Sequence, residues 1–433
     1  MRRTSWNLLV SYFLKLTLPA FSCLLFLAGP SEGATDEADS LYKAHSDSVY
    51  QIRVIEIKSG KKASAGSAFC VGTNGLLVSN YHVVNRVIGY PRLYRLECIE
   101  SDGTAFPLEI VDIDVIHDLA ILRSGRESMR GLRLSKTSPE KGRTLYALGN
   151  PLDLGMVIVD GTYNGLIEKS RYEKILFSGS LNSGMSGGPA IVSNGDVIGV
   201  SVSTAGDQIS FLVPVKYLTS LLRRVNSTAA DKPADLHKRI EQQLFENQKQ
   251  YISRLLRGKW GLDTLGAAKL PKINDDTIQS WGGTERDAES LHDYTRTYAG
   301  SRDEIFLSPE LSTGKIYYLC KWYTDKGLGT ARFYNLLEDH FGRSPSSGDA
   351  EEDDVTNFET HSDFVTIAGR EWRVSLSGRN YKKYPSLYDL TLSMASLHST
   401  DHALLIDVVL IGVGEEDGAA FLKFFMEAIQ WEN

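Results

Sequence analysis

From Val49 to about Leu222 the chain is a succession of short apolar segments cut apart by Gly, Asn and Asp. Examples are VYQIRVIEI, SAFCV, LLVSN, LYRLECI, LAILR, TLYALG, AIVS, DVIGVSV and ISFLVPV. Runs this short, with turn residues at each break, predict an antiparallel sandwich or barrel. A parallel sheet would need a crossover of a dozen or more residues between strands. No helix-length apolar pattern occurs before YLTSLLRRV, which begins at Tyr217.

The chain has 433 residues, so this β-rich run is one domain among two or three. The stretch Asn226 to Asp235, NSTAADKPAD, is small, polar and Pro-bearing and reads as a linker. Leu236, Ile240, Leu244, Phe245, Ile252, Leu255 and Leu256 then recur at helical spacing, with Gly258 as the stop. After that helix the pattern changes. KIYYLCKWY, EWRVSLSG, YDLTLSMAS and ALLIDVVLIG predict strands, and GAAFLKFFMEAIQ a closing helix, so residues 261–433 are expected to form an α+β domain that folds by itself. Between them SPSSGDAEEDD (Ser344 to Asp354) reads as an exposed acidic loop.

Hydrophobic residues make up 42% and charged residues 23%, which excludes a disordered or collagen-like chain. The net charge of -7 argues against a nucleic-acid partner, since phosphate binding needs a basic surface. Arg2 and Arg3, the apolar run Leu16 to Gly29, and the small residues Ser31 and Gly33 predict a signal peptide over residues 1–33. The mature chain then starts near Ala34 and lies outside the cytoplasm, periplasmic or secreted. A retained membrane anchor is the alternative, although Lys15 and Pro19 interrupt the apolar stretch. Beyond the leader the cysteines are Cys70, Cys98 and Cys320. This is too few for a disulfide scaffold, and a Cys70–Cys98 bridge or free buried thiols both stay open.

Chemistry near neutral pH usually needs a histidine base, and the β-rich part offers two. His82 lies in LLVSNYHVV, just after a strand. His117 is adjacent to Asp118 in IHDLAIL, where the two side chains of an extended strand would face opposite ways. Asp118 opens an apolar strand, and a carboxylate there is costly without a partner. His82 is the expected partner. In SGMSGGPA, Ser186 stands between glycines that let the backbone bend sharply. The N–H groups of Gly184 and Ser186 could meet a developing oxyanion there.

The order His82, Asp118, Ser186 is that of the chymotrypsin-type proteases, not of subtilisins or α/β-hydrolases. LLVSNYHVV, HDLAIL and NSGMSGGPA resemble the three catalytic motifs of the trypsin-like serine proteases. ALGNPLDLGMVIVDGTYNGLIEKS and DVIGVSVSTAGDQISFLVPV are similar to strands of the HtrA/DegP branch. The resemblance implies an all-β double β-barrel over about 41–225, then the linker and helix (226–260) and the α+β domain. It implies catalysis by His82, Asp118 and Ser186, with oxyanion donors at Gly184 and Ser186. Ser180, Ser201, Val202 and Ser203 would line a small to medium uncharged substrate pocket. Met185 departs from the family, which usually carries Asn or Asp there.

The implied substrate is a polypeptide, with no cofactor and no metal. Relatives of this branch are often homo-oligomers, which no motif here decides. They usually continue into a PDZ domain, which this sequence does not show. DKGLGT (Asp325 to Thr330) is only faintly similar to a carboxylate-binding loop. The C-terminal part is therefore expected to bind a protein or an envelope component, or to pack on the barrels, and to be dispensable for bond cleavage. A protease-fold scaffold is the competing function. His398 and His402 have metal-ligand spacing but no obvious third ligand.

Overall fold

Two successive sets of six strands each close into a barrel. The computed structural model describes residues 33–100, 102–126, 129–204, 206, 208–227, 235–285, 290–341 and 350–431, without the side chains of 33–36 and 203. The leader expected at 1–33 lies outside these residues except for Gly33, where helix α1 (Gly33–His45) begins.

The first barrel contains β1 (Val49–Glu56), β2 (Lys62–Val71), β3 (Leu76–Ser79), a short helix α2 (Tyr81–Gly89), β4 (Tyr94–Ile99), β5 (Ala105–Asp114) and β6 (Leu119–Ser124). Its strand order is β1-β2-β3-β6-β5-β4. The second contains β7 (Thr144–Gly149), β8 (Val157–Leu166), β9 (Ile175–Phe177), β10 (Pro189–Ile191), β11 (Val197–Thr204) and β12 (Ser210–Pro214), in the order β10-β11-β12-β9-β8-β7. The expected double barrel is thus the observed fold. Each interior is filled by β-branched and aromatic side chains such as Ile52, Val54, Ile113 and Phe177, all fully buried. Burial of each such side chain stabilises by about 1.5–3 kcal/mol.

The sequence pattern missed α1 and α2. Tyr81, Val83 and Val84 have strand-forming side chains, yet the segment turns into a helix whose inner face buries Tyr81, Val84 and Ile88. Cys70, Cys98 and Cys320 are all free and buried.

After α3 (Val215–Ser227), helix α4 (Leu236–Arg257) is capped by Asp235, which accepts from the Lys238 N–H, and it stops at Gly258. The rest is antiparallel sheet with helices packed on it. β14 (Ala268–Ile273) pairs with both β13 (Trp260–Leu265) and the short β24 (Gln430–Trp431). Seven strands form the large sheet: β15 (Ile278–Glu285), β16 (His292–Ser301), β19 (Ile316–Asp325), β23 (His402–Val413), β22 (Tyr388–Ser396), β21 (Arg370–Asn380) and β20 (Glu359–Ile367), in that spatial order. Helix α6 (Glu415–Glu427) buries Phe421, Leu422 and Phe425 against one face. Helix α5 (Thr330–His340), whose start follows the DKGLGT turn, packs Phe333 and Leu337 on Tyr323, Ala403 and Leu405. A hairpin of β17 (Ile305–Ser308) and β18 (Leu311–Thr313) stands apart from the sheet.

The two parts share a core. Ile240 and Leu244 of α4 join the first-barrel cluster, together with Ile305, Leu307, Leu311, Val355, Tyr381, Tyr384 and Leu387. Two and three turns on, Tyr251, Ile252 and Leu255 of the same helix belong to the core of the large sheet. The Gln243 amide fits onto β5 from outside, donating to the Ile113 carbonyl at 2.9 Å and accepting from the Val115 N–H at 2.9 Å.

Candidate active site

Strand register brings the first two residues together. Ser79, the last residue of β3, pairs with Ala120 near the start of β6. The segment just after β3 and the one just before β6 therefore leave the barrel at the same end. The former contains His82 and the latter Asp118. Asp118 sits in a left-handed backbone conformation (φ 55°), uncommon for a residue with a side chain. The Asn80 amide holds it there by donating to its carbonyl at 2.8 Å.

The Asp118 carboxylate grips His82 twice. Oδ1 accepts the His82 backbone N–H at 2.8 Å, and Oδ2 lies 2.7 Å from the ring Nδ1. The first bond also satisfies an N–H in the opening turn of α2, where a negative group is favoured by the helix dipole. Burial works to lower the His82 pKa, but the charge of Asp118 and its hydrogen bond outweigh this and leave it above the ordinary value. His117 is engaged elsewhere. Its Nδ1 lies 2.8 Å from Asp114, and its ring stacks on Tyr217 at 3.6 Å. The two side chains at 117 and 118 do part company, at a turn and not along a strand.

Ser186 stands in the loop between β9 and β10 of the second barrel. Its hydroxyl donates to the Val202 carbonyl at 3.0 Å; no hydrogen bond joins it to His82 among the described residues. The loop turns through Gly184 (φ 97°) and Gly187 (φ 87°). A Cβ at either would come within 2.4 Å of backbone oxygen, from Asn150 at Gly184 and from Ser67 at Gly187, so only glycine fits. The backbone N–H groups of Gly184 and Ser186 donate to no protein acceptor among the described residues. Met185 is fully buried in the second-barrel core and points its side chain away from the loop's open face. That accommodates the departure noted in the sequence. Gly66 of β2 lies between the two halves of the site: a Cβ there would stand 2.7 Å from Val83 and 3.1 Å from the Ser186 carbonyl.

The remaining expected residues are spread around this loop. Ser180 is exposed near the start of the loop. Ser201 is fully buried and exchanges backbone bonds with Gly187 (2.8 Å) and Gly188 (2.9 Å). Its hydroxyl has no partner among the described residues. Val202 is half-buried, and Ser203 is described only by its backbone, which pairs with Phe211. Far away, His402 stacks on Trp322 and His398 pairs with Glu371; no cluster of three or more His, Cys, Asp or Glu suited to a metal occurs among the described residues.

Two residues at the site went unnoticed in the sequence. Ser67 of β2 donates its hydroxyl to the Gly184 carbonyl at 2.7 Å and accepts the Asn150 N–H at 2.9 Å. The available signal was the small pair Gly66-Ser67 entering an apolar strand, a mark of close backbone approach. The other is Phe306 of β17, whose ring meets that of His82 edge-on, centroids 6.2 Å apart at 85°.

Residues 66–200 match the family model of the trypsin-like peptidase domain. The chain is 28% identical over 251 residues to the mitochondrial serine protease HTRA2 of Drosophila ananassae, covering 51% of this chain and 58% of that protein. It is 33% identical over 171 residues to the same protease of Drosophila erecta, covering 37% and 40%. It thus spans about half the length of these relatives. Among solved structures it aligns with Deg5 at 26% identity and a TM-score of 0.39, over 45% of this chain and 97% of that one. With a serine endoprotease from Yersinia pestis the identity is 19% and the TM-score 0.38, over 43% and 66%.

Proposed function

We propose that this chain, whose barrel half is of the trypsin-like, HtrA-branch serine protease kind, is a serine endopeptidase acting on polypeptides outside the cytoplasm. The observation that carries the reading is the double grip of Asp118 on His82. It fixes the imidazole through Nδ1 and leaves Nε2 to serve as base.

In the proposed reaction the Ser186 hydroxyl turns from Val202 toward His82, since catalytic hydrogen bonds tighten as substrate binds. Its oxygen attacks the scissile carbonyl while its proton passes to Nε2 of His82. The resulting oxyanion takes hydrogen bonds from the free N–H groups of Gly184 and Ser186. Each such donor contributes about 10²–10³ in rate. The imidazolium then gives its proton to the leaving amine, and the acyl group stays on Ser186 as an ester. Water repeats the sequence, with His82 again as base, and frees the acid and the serine.

Ser180, Val202 and Ser203 are assigned to an uncharged substrate pocket, with the fully buried Ser201 supporting its wall from behind. Residues 1–33 are assigned to an export signal; among the described residues no helix is long and apolar enough to cross a membrane. The relatives' kind also makes a homo-oligomer a natural expectation. A fluorophosphonate probe tests the core of this reading, because it reacts only with an activated serine. Labelling of the native chain and its loss in Ser186→Ala are expected. A folded native chain that takes no label would favour a scaffold using the same barrels.

A further inference from the structure

The sheet-bearing half of the chain reaches into the site through one hairpin. Along β17 the side chains alternate. Ile305 and Leu307 are 2% and 4% exposed and belong to the first-barrel core, whereas Phe306 between them is 37% exposed and faces His82. The β17–β18 register slips between Phe306 and Ser308, the kind of bulge that re-aims side chains and frees backbone groups. The freed Leu307 carbonyl accepts from the Tyr81 hydroxyl at 3.2 Å and the Asn85 amide at 3.1 Å. Tyr81 and His82 are neighbours at the start of α2, so these bonds fix the hairpin against the turn that carries the base.

We propose that Phe306 is a specificity-determining residue of this site, an apolar wall for the substrate side chain next to the scissile bond. This rests on the peptidase reading above. A base that must reach both the attacking serine and the leaving amine lies alongside the scissile bond. A ring in edge contact with that imidazole is therefore one side chain away from the residues flanking the bond. Phe306 keeps more than a third of its surface open there, and its edge-on packing lies in the favourable range for aromatic pairs. A small or polar flanking residue would leave that surface wet, whereas an aliphatic or aromatic one would cover it. Selection at this position thus comes from outside the barrels, and the C-terminal half is part of the cleft and not dispensable to it.

The test uses the full chain, with Phe306→Ala and Phe306→Leu beside the native protein. Peptide pairs carrying Gly or Phe at each position flanking the cleaved bond are compared by kcat/KM, and all three proteins are first titrated with the fluorophosphonate. The native chain should prefer Phe over Gly at one flanking position by about tenfold, the size of apolar pocket discrimination. Phe306→Ala should lose that preference, its kcat/KM falling about tenfold further on the Phe peptide than on the Gly peptide, and Phe306→Leu should keep part of it. Equal labelling with an unchanged preference in Phe306→Ala overturns the proposal. So does a uniform fall on all peptides, which would make the ring purely structural. No labelling in any of the three proteins would overturn the peptidase reading itself, and this proposal with it.

Discussion

The backbone N–H of Ser67, in β2 of the first barrel, donates to the carbonyl of Ser186 in the second barrel at 2.8 Å. The two barrels are thereby joined at the proposed nucleophile itself. The Ser79 hydroxyl secures the other side of the same residue, donating to the Ser67 carbonyl at 2.8 Å.

Ser67→Ala keeps the backbone bond but frees the Gly184 carbonyl and the Asn150 N–H. The loop presenting Ser186 and the oxyanion donors should loosen. Misplacement on this scale costs up to about 10²-fold, and kcat is expected to fall toward that limit with KM little changed. Unfolding should become easier by about 1–3 kcal/mol. Steady-state kinetics and denaturant titration read the two effects separately. Native kcat in Ser67→Ala would mean that the loop holds its shape without this hydroxyl.

His82 must be neutral to accept the proton from Ser186. Its pKa is raised, so kcat/KM should climb with pH through a value above the ordinary histidine pKa of about 6.5. Asp118→Asn removes both raising causes. The acid limb should then move to lower pH, while the rate falls by about 10⁴-fold as the imidazole is held in the wrong tautomer. The same shift has a stability consequence. The pair contributes its full stabilisation below the unfolded-state pKa of histidine, and this is lost as pH rises through the folded value. A pH–rate profile of the native chain with its limb at or below about 6.5 would contradict the assignment.

Arg171, in the β8–β9 connection, carries the second junction between the halves. Its guanidinium donates to the Gly314 carbonyl (2.7 Å), Asn247 (2.8 Å) and Gln248 (2.9 Å), and it lies 3.6 Å above the Tyr251 ring. Its backbone N–H donates to Asp303 at 2.6 Å. Arg171→Ala leaves buried acceptors unmet and should destabilise by about 2–4 kcal/mol. Arg171→Lys should recover little, because a point charge cannot fill a planar fork or stack on the ring. Thermal unfolding of the three proteins decides it, and full rescue by lysine would show that charge alone matters.

Removing everything after Asn226 should cost the first barrel part of its core. Ile240, Leu244, Leu307 and Leu387 would be absent from that cluster, and the edge of β5 would lose the Gln243 side chain. The shortened chain is expected to aggregate or to bind hydrophobic dyes, with weakened near-ultraviolet circular dichroism. A soluble, cooperatively melting barrel pair would show that the shared core is optional.

His82, Asp118, Ser186 and the barrel pattern could be read from the chain because each carries its signal locally. The three have residue types that the chemistry requires, and the strands are bounded by their own turn residues. Helix α4 was equally plain, from its period and from Gly258. Helix α2 was hidden, since Tyr and Val favour strands and only the packing of Tyr81, Val84 and Ile88 bends the segment into a helix. Ser67 and Phe306 were hidden for another reason. Each acts on a residue more than a hundred positions away, through a backbone carbonyl or a ring edge, and no local pattern encodes such a partner. The C-terminal strands legible in the sequence are β19, β21, β22 and β23, whereas the strands around them are not; the α6 helix starts at Glu415, earlier than its apolar face suggests, because three acidic residues stabilise its first turn.

Ile52 in β1 and Leu387 beyond β21 belong to one buried cluster. For a chain made from its N-terminus at about 5–20 residues per second, this sets an order of events. Both barrels are fully synthesised by Pro214, yet the side chains that finish the first barrel's core follow on the order of ten seconds later. During that interval Phe306 and the hairpin beside His82 are also still arriving. The barrel half therefore matures only when its far partner is nearly complete, and under the proposed function a chain broken off early is born without the means to cut its neighbours.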